Sequence, residues 1–89
     1  MVWVVDDERA EWAQIPRAAE NKYDEWVRII VENNRSPSDA ARDIGDSNFK
    51  MLSGATELYT IRLSQRHRVL FTIDSVNEVV RVLQVGGHT

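Results

Sequence analysis

The sequence predicts an α+β domain, an antiparallel β-sheet with N-terminal helices packed on one of its faces. Apolar residues recur at helical spacing before about residue 45 and alternate with period two beyond Gly54. Helices grouped first and strands last give the α+β class. With 89 residues the chain is enough for one core and too short for two, so residues 1–89 form a single domain.

The elements follow in order. Val2 to Val5 reads as a short strand, ended by Asp6 and Asp7, which can cap a first helix running to about Gln14. Ile15-Pro16 breaks that helix, and Pro16 can open the next as its first residue. Ala19, Tyr23, Trp26, Val27 and Ile30 then form one apolar stripe, closed by Asn33 and Asn34. Ser36-Pro37-Ser38-Asp39 supplies an N-cap, a proline at the first position and an acid at the third, so a short third helix follows. Gly45 supplies the positive-φ residue that ends it near Ile44. Beyond Gly54, Tyr59, Ile61 and Leu63 alternate with Leu58, Thr60 and Arg62. Val69 to Ile73 and Glu78 to Val85 are two further strands, separated by the turns Ser64 to His67 and Asp74 to Asn77. Three strands in sequence make a meander whose second face stays open.

Composition excludes several functions. There is no cysteine, hence no disulfide and no thiolate metal site, which fits a reducing cytoplasm. The apolar run Val2 to Val5 is too short for a signal peptide or a membrane span. The net charge of −3 argues against a general nucleic-acid binder. Its distribution is uneven: 6 Lys/Arg against 11 Asp/Glu up to Phe49, and 5 against 3 from Lys50 onward. A basic sheet beside an acidic helical layer would let one face meet RNA.

Among chemistry-bearing residues, two histidines and no cysteine leave little for a zinc site, and Asp6-Asp7-Glu8 looks like helix capping. Ser53, Ser64 and Ser75 fall in turns with no nucleophile motif, and Gly86-Gly87 lacks the rest of a phosphate loop. Arg62, Arg68 and His88 lie on or beside the sheet. Alternation puts the two arginines on one face only if their connecting loop holds an odd number of residues or a strand carries a bulge. A two-residue loop at Gln65-Arg66 would separate them. His88 is either a frayed tail or an imidazole at the sheet's edge able to donate a proton near neutral pH. His67 helps the turn or faces water.

The run Leu52-Ser53-Gly54, Tyr59-Thr60-Ile61-Arg62-Leu63-Ser64, His67-Arg68-Val69-Leu70-Phe71, Val79 to Val82 and Val85-Gly86 resembles the RelE/ParE family of toxins from toxin–antitoxin pairs. Within that family the likeness is to the RelE- and YoeB-like messenger-RNA-cutting ribonucleases. It covers about forty residues closely; upstream only the order strand, helices, sheet agrees. The resemblance implies a RelE-like β-α-α-(α)-β-β-β fold and a cytoplasmic, ribosome-dependent endoribonuclease that inhibits translation. Its implied partners are the ribosome, mRNA and a cognate antitoxin in a hetero-oligomer, with no membrane, metal or cofactor. Cutting RNA without a metal uses the substrate's 2′-hydroxyl as nucleophile. The protein must then remove that proton, offset phosphorane charge and protonate the departing 5′-oxygen. By motif position Arg68 stabilises charge, Arg62 assists, and His88 is the general acid. Asp46 stands where YoeB-like toxins carry a glutamate and is the candidate base, with Glu57 its rival. Lys50, Arg66 and Tyr59 are candidate substrate contacts, Tyr59 alternatively a packing residue. Thr89 stands where YoeB-like proteins end in tyrosine, and Thr60 where RelE has lysine. These departures and the acidic charge motivate the alternative of a ParE-like gyrase inhibitor or a catalytically weakened interaction module.

Overall fold

The structure is a computed structural model that describes residues 2–45, 47–53 and 57–87. Its helices are α1, Arg17–Glu32, and α2, Pro37–Ile44; its strands are β1, Val4–Asp6, β2, Glu11–Trp12, β3, Lys50–Ser53, β4, Leu58–Arg62, β5, Arg68–Asp74, and β6, Val79–Gly87. In α1 the expected stripe turns inward, with Ala19, Tyr23, Trp26 and Ile30 buried and Val27 packed against them. Pro16 is the N-cap, one position earlier than expected, and Asn33 closes the helix by donating its N–H to the Ile29 carbonyl. The Ser36 hydroxyl caps α2 by accepting the Asp39 N–H at 3.2 Å, and Gly45 ends it at φ 72°, ψ 154°. The two helices are joined by a bond from the Trp26 indole N–H to the Pro37 carbonyl, and the Arg35–Asp43 ion pair ties their connection to α2.

The strand order is β1-β6-β5-β4-β3, with β2 also paired to β6. The meander β3 to β6 is antiparallel as expected, but β1 and β2 run parallel to β6, so the sheet is mixed. Two expectations fail here. The helix predicted from Asp6 to Gln14 does not form. Asp6 pairs with Arg81, the Tyr23 hydroxyl donates to Asp7, and Glu11 and Trp12 align with Gln84 and Val85. A segment of under a dozen residues is marginal as an isolated helix, and pairing with the outer edge of β6 overrides its propensity. Strand β3, bulged between Met51 and Ser53, was not foreseen.

Both helices cover one face of the sheet. Ile61, Leu63, Val69, Phe71, Val80, Val82 and Val85 are buried beneath them, and Trp26 meets Phe71 with ring centroids 4.9 Å apart. Burial holds the Tyr23 hydroxyl well above its ordinary pKa, helped by its bond to Asp7. In β6 the inward residues are Val80, Val82 and then Val85. The break in alternation is a bulge: Val82 opposes Phe71, yet Gln84 opposes Leu70. A second register shift follows, so that Val85 opposes Val69 and Gly87 opposes Arg68. Each bulge adds one residue to the strand and turns every later side chain to the other face.

Candidate functional site on the open face

Leu63 to His67 form a five-residue connection between β4 and β5. Its geometry is fixed by the Leu63 and Ser64 N–H groups, which both donate to the His67 carbonyl, and by the Ser64 hydroxyl, 2.7 Å from His67 Nδ1. His67 therefore serves the turn. The odd loop length satisfies the condition for a shared face, and Arg62 and Arg68 are direct cross-strand partners. They sit on the face away from the helices, since Ile61 and Val69, their neighbours in sequence, are fully buried.

Three polar atoms on this face are buried with no hydrogen-bond partner among the described residues: Arg62 Nε, Arg68 Nε and the Thr60 hydroxyl. Such donors cost stability when unpaired, and two facing guanidinium groups repel each other. The sheet thus holds together two cations that gain from an anion laid across them, as a phosphate can be by bidentate hydrogen bonding.

Asp46 and His88 lie outside the described residues, as do Gly54 of the Leu-Ser-Gly turn and Thr89. Their described neighbours reach the arginine pair from two sides. The Arg62 backbone N–H donates to the carbonyl of Ser47, and Gly87 is the cross-strand partner of Arg68. Lys50 opposes Thr60, which puts it on the same face one row along from Arg62. Glu57 precedes Leu58, itself four residues or about 13 Å along β4 from Arg62. Arg66 is exposed at the tip of the turn, off the sheet. Tyr59 is on the helix side, stacked between Phe49 and Phe71 at centroid distances of 5.3 and 6.0 Å. There it lines a cleft of about 260 Å³ with Trp3, Pro37 and Ile73. Packing is its observed role, and it does not join the arginines.

A polar residue not singled out from the sequence, Gln84, joins the arginines on this face. By simple alternation from Val82, Gln84 would point into the core; the bulge before it turns it outward, opposite Leu70 and beside Arg68. The signal available in the sequence was the spacing of Val80, Val82 and Val85, two apart and then three.

No protein-family model matches the chain, and no curated protein sequence matches it at a significant level. Among solved structures it is similar to a chain of the heterotetrameric YoeB–YefM toxin–antitoxin complex from Staphylococcus aureus. The TM-score is 0.42 and the identity 17%, over 91% of this chain and 99% of that one. A second YoeB–YefM complex from Staphylococcus aureus gives a TM-score of 0.41 and 21% identity over the same shares. Both likenesses are loose. Among the described residues no helix is long and apolar enough to cross a membrane, and the chain is an α+β domain with a mixed sheet and two helices on one face.

Proposed function

We propose that this chain is the toxin of a toxin–antitoxin pair, a cytoplasmic endoribonuclease that cuts mRNA on the ribosome and so inhibits translation. A cognate antitoxin would silence it within a hetero-oligomer. The observation that carries this reading is the pairing of Arg62 with Arg68 on the open face, each with a buried Nε that has no partner among the described residues. In the proposed reaction the 2′-hydroxyl attacks the adjacent phosphorus and gives up its proton, with Asp46 the candidate base. The two guanidinium groups offset the charge of the phosphorane. The bond to the 5′-oxygen breaks as His88 protonates it, leaving a 2′,3′-cyclic phosphate and a 5′-hydroxyl end.

Induced expression without a partner should arrest growth and leave messages with 5′-hydroxyl ends. Arg68→Ala should lower cleavage roughly 10²- to 10³-fold and His88→Ala roughly 10²- to 10⁴-fold. If both variants arrest growth as strongly as the parent, the mechanism is wrong. The net charge of −3 and a buried threonine at position 60 favour a second reading, a ParE-like gyrase inhibitor or a scaffold without chemistry. Intact messages with inhibited supercoiling would select the former, and neither effect the latter.

A further inference from the structure

We infer that Gln84 is a substrate-contacting residue of the same open-face site, its carboxamide reading the edge of a nucleobase beside the arginine pair. The inference rests on the nuclease reading above and adds a base-recognising group to it.

Two features of β6 support it. The first is the bulge between Val82 and Gln84. A regular strand would bury Gln84 and expose Val85; the observed register buries Val85 completely and brings Gln84 to the open face. A bulge leaves an unpaired residue in the ladder and disrupts it locally, and bulges that re-aim one side chain gather beside active sites. Here the re-aimed side chain is the polar one.

The second feature is Gly87. A β-carbon at this position would collide with the Gln84 carboxamide, standing 2.8 Å from its Cδ. The amide therefore lies across the Gly87 backbone, in a place only glycine leaves open, and Gly87 is the cross-strand partner of Arg68. Glycine at 87 leaves room for one amide, and the bulge before 84 brings it to the cross-strand partner of Arg68. A carboxamide offers a donor and an acceptor side by side, the complement of a nucleobase edge. Bases of single-stranded RNA present such edges when unstacked. The cross-strand row that holds Gln84 runs through Leu70 and Thr60 to Lys50, so an RNA strand held by the arginines and Lys50 would pass Gln84 with a base.

The test is a titration of the full chain, labelled with nitrogen-15, by four short single-stranded oligoribonucleotides that differ at one central base. The side-chain resonances of Arg62, Arg68 and Gln84 are followed by nuclear magnetic resonance. The expected result is movement of the arginine Nε–H signals with every oligonucleotide and of the Gln84 amide signals to an extent that depends on the base. Gln84→Ala should then flatten the spread of affinities by about tenfold while the arginine signals still move. Gly87→Ala, which displaces the amide without removing it, should flatten the spread similarly. Arginine signals that move while the Gln84 amide stays still overturn the role of Gln84 and leave the nuclease reading standing. If neither set moves, the role of Gln84 falls, and the nuclease reading is then decided by whether induced expression cuts messages. A Gln84→Ala variant with unchanged base preference also overturns the inference, and an unaltered melting temperature in that variant shows that the loss is not one of folding.

Discussion

Replacing either open-face arginine by methionine should stabilise the protein while disabling it. Arg68→Met and Arg62→Met keep an apolar stem on the sheet and remove a guanidinium whose buried Nε has no partner among the described residues. Relieving one unsatisfied buried donor is worth about 1–3 kcal/mol. Removing the like-charge contact between cross-strand partners adds about 0.2–1 kcal/mol. A net gain near 1 kcal/mol would raise the melting temperature of a domain this size by roughly 4–8 °C. The double variant should gain less than the sum of the two singles, because the repulsion can be removed only once. Thermal and urea unfolding monitored by circular dichroism give the stabilities, and growth arrest on induced expression gives the activity. A lower melting temperature in both single variants would refute the reasoning, for it would mean that the guanidinium groups are satisfied in the folded state. Stabilisation with undiminished toxicity would instead separate the arginines from function.

Three further outcomes follow from the fold. Phe71→Ala removes the ring that meets Trp26, Phe49 and Tyr59 in the core and should cost about 3–5 kcal/mol, a large share of a small domain's stability by urea denaturation. Gly45→Ala places a β-carbon at φ 72°, ψ 154°, where nothing obstructs it but the backbone itself is unfavourable; a loss of about 1–3 kcal/mol is expected, and an unchanged melting temperature would count against it. Asp74 accepts hydrogen bonds from the side chain and backbone of Asn77 and from the Val76 N–H, which hold its carboxyl below the usual range. Because the folded-state pKa is depressed, this contribution is present above the unfolded pKa of about 4 and is lost as pH falls through the folded value. Asp74→Asn should therefore narrow the difference in stability between neutral and acidic solution, read from urea midpoints across that range.

The helices were legible because their signals are local. The stripe from Ala19 to Ile30 carries its own period, and Ser36-Pro37-Asp39 specifies a helix start within four residues. Strand β2 was not, because two residues have no period and owe their extended form to Gln84 and Val85 far along the chain. Strand β3 shows no alternation over its four residues and is bulged between Met51 and Ser53. At the site, residue types were readable but their faces were not: whether Arg62 meets Arg68 depends on the length of a turn set by His67, and Gln84 reaches the surface through an extra residue in β6. Tyr59, three residues before Arg62 in the same strand, falls on the helix side through the alternation that puts Arg62 outside.

The parallel pairing of β1 and β2 with β6 has a consequence for the order of assembly. Both N-terminal strands find their partner only in the final strand of the sheet, so α1 and α2 can form early while the layer they rest on is still incomplete. Contacts between the ends of a chain close slowly, because the intervening loop entropy is lost before the contact is gained. On a ribosome emitting residues in order, Arg62 and Arg68 emerge before Gln84 and Gly87, and the hairpin that pairs the two arginines precedes the strand that completes their surroundings. A nascent chain therefore carries the arginine pair before β6 has added Gln84 and Gly87 to the face.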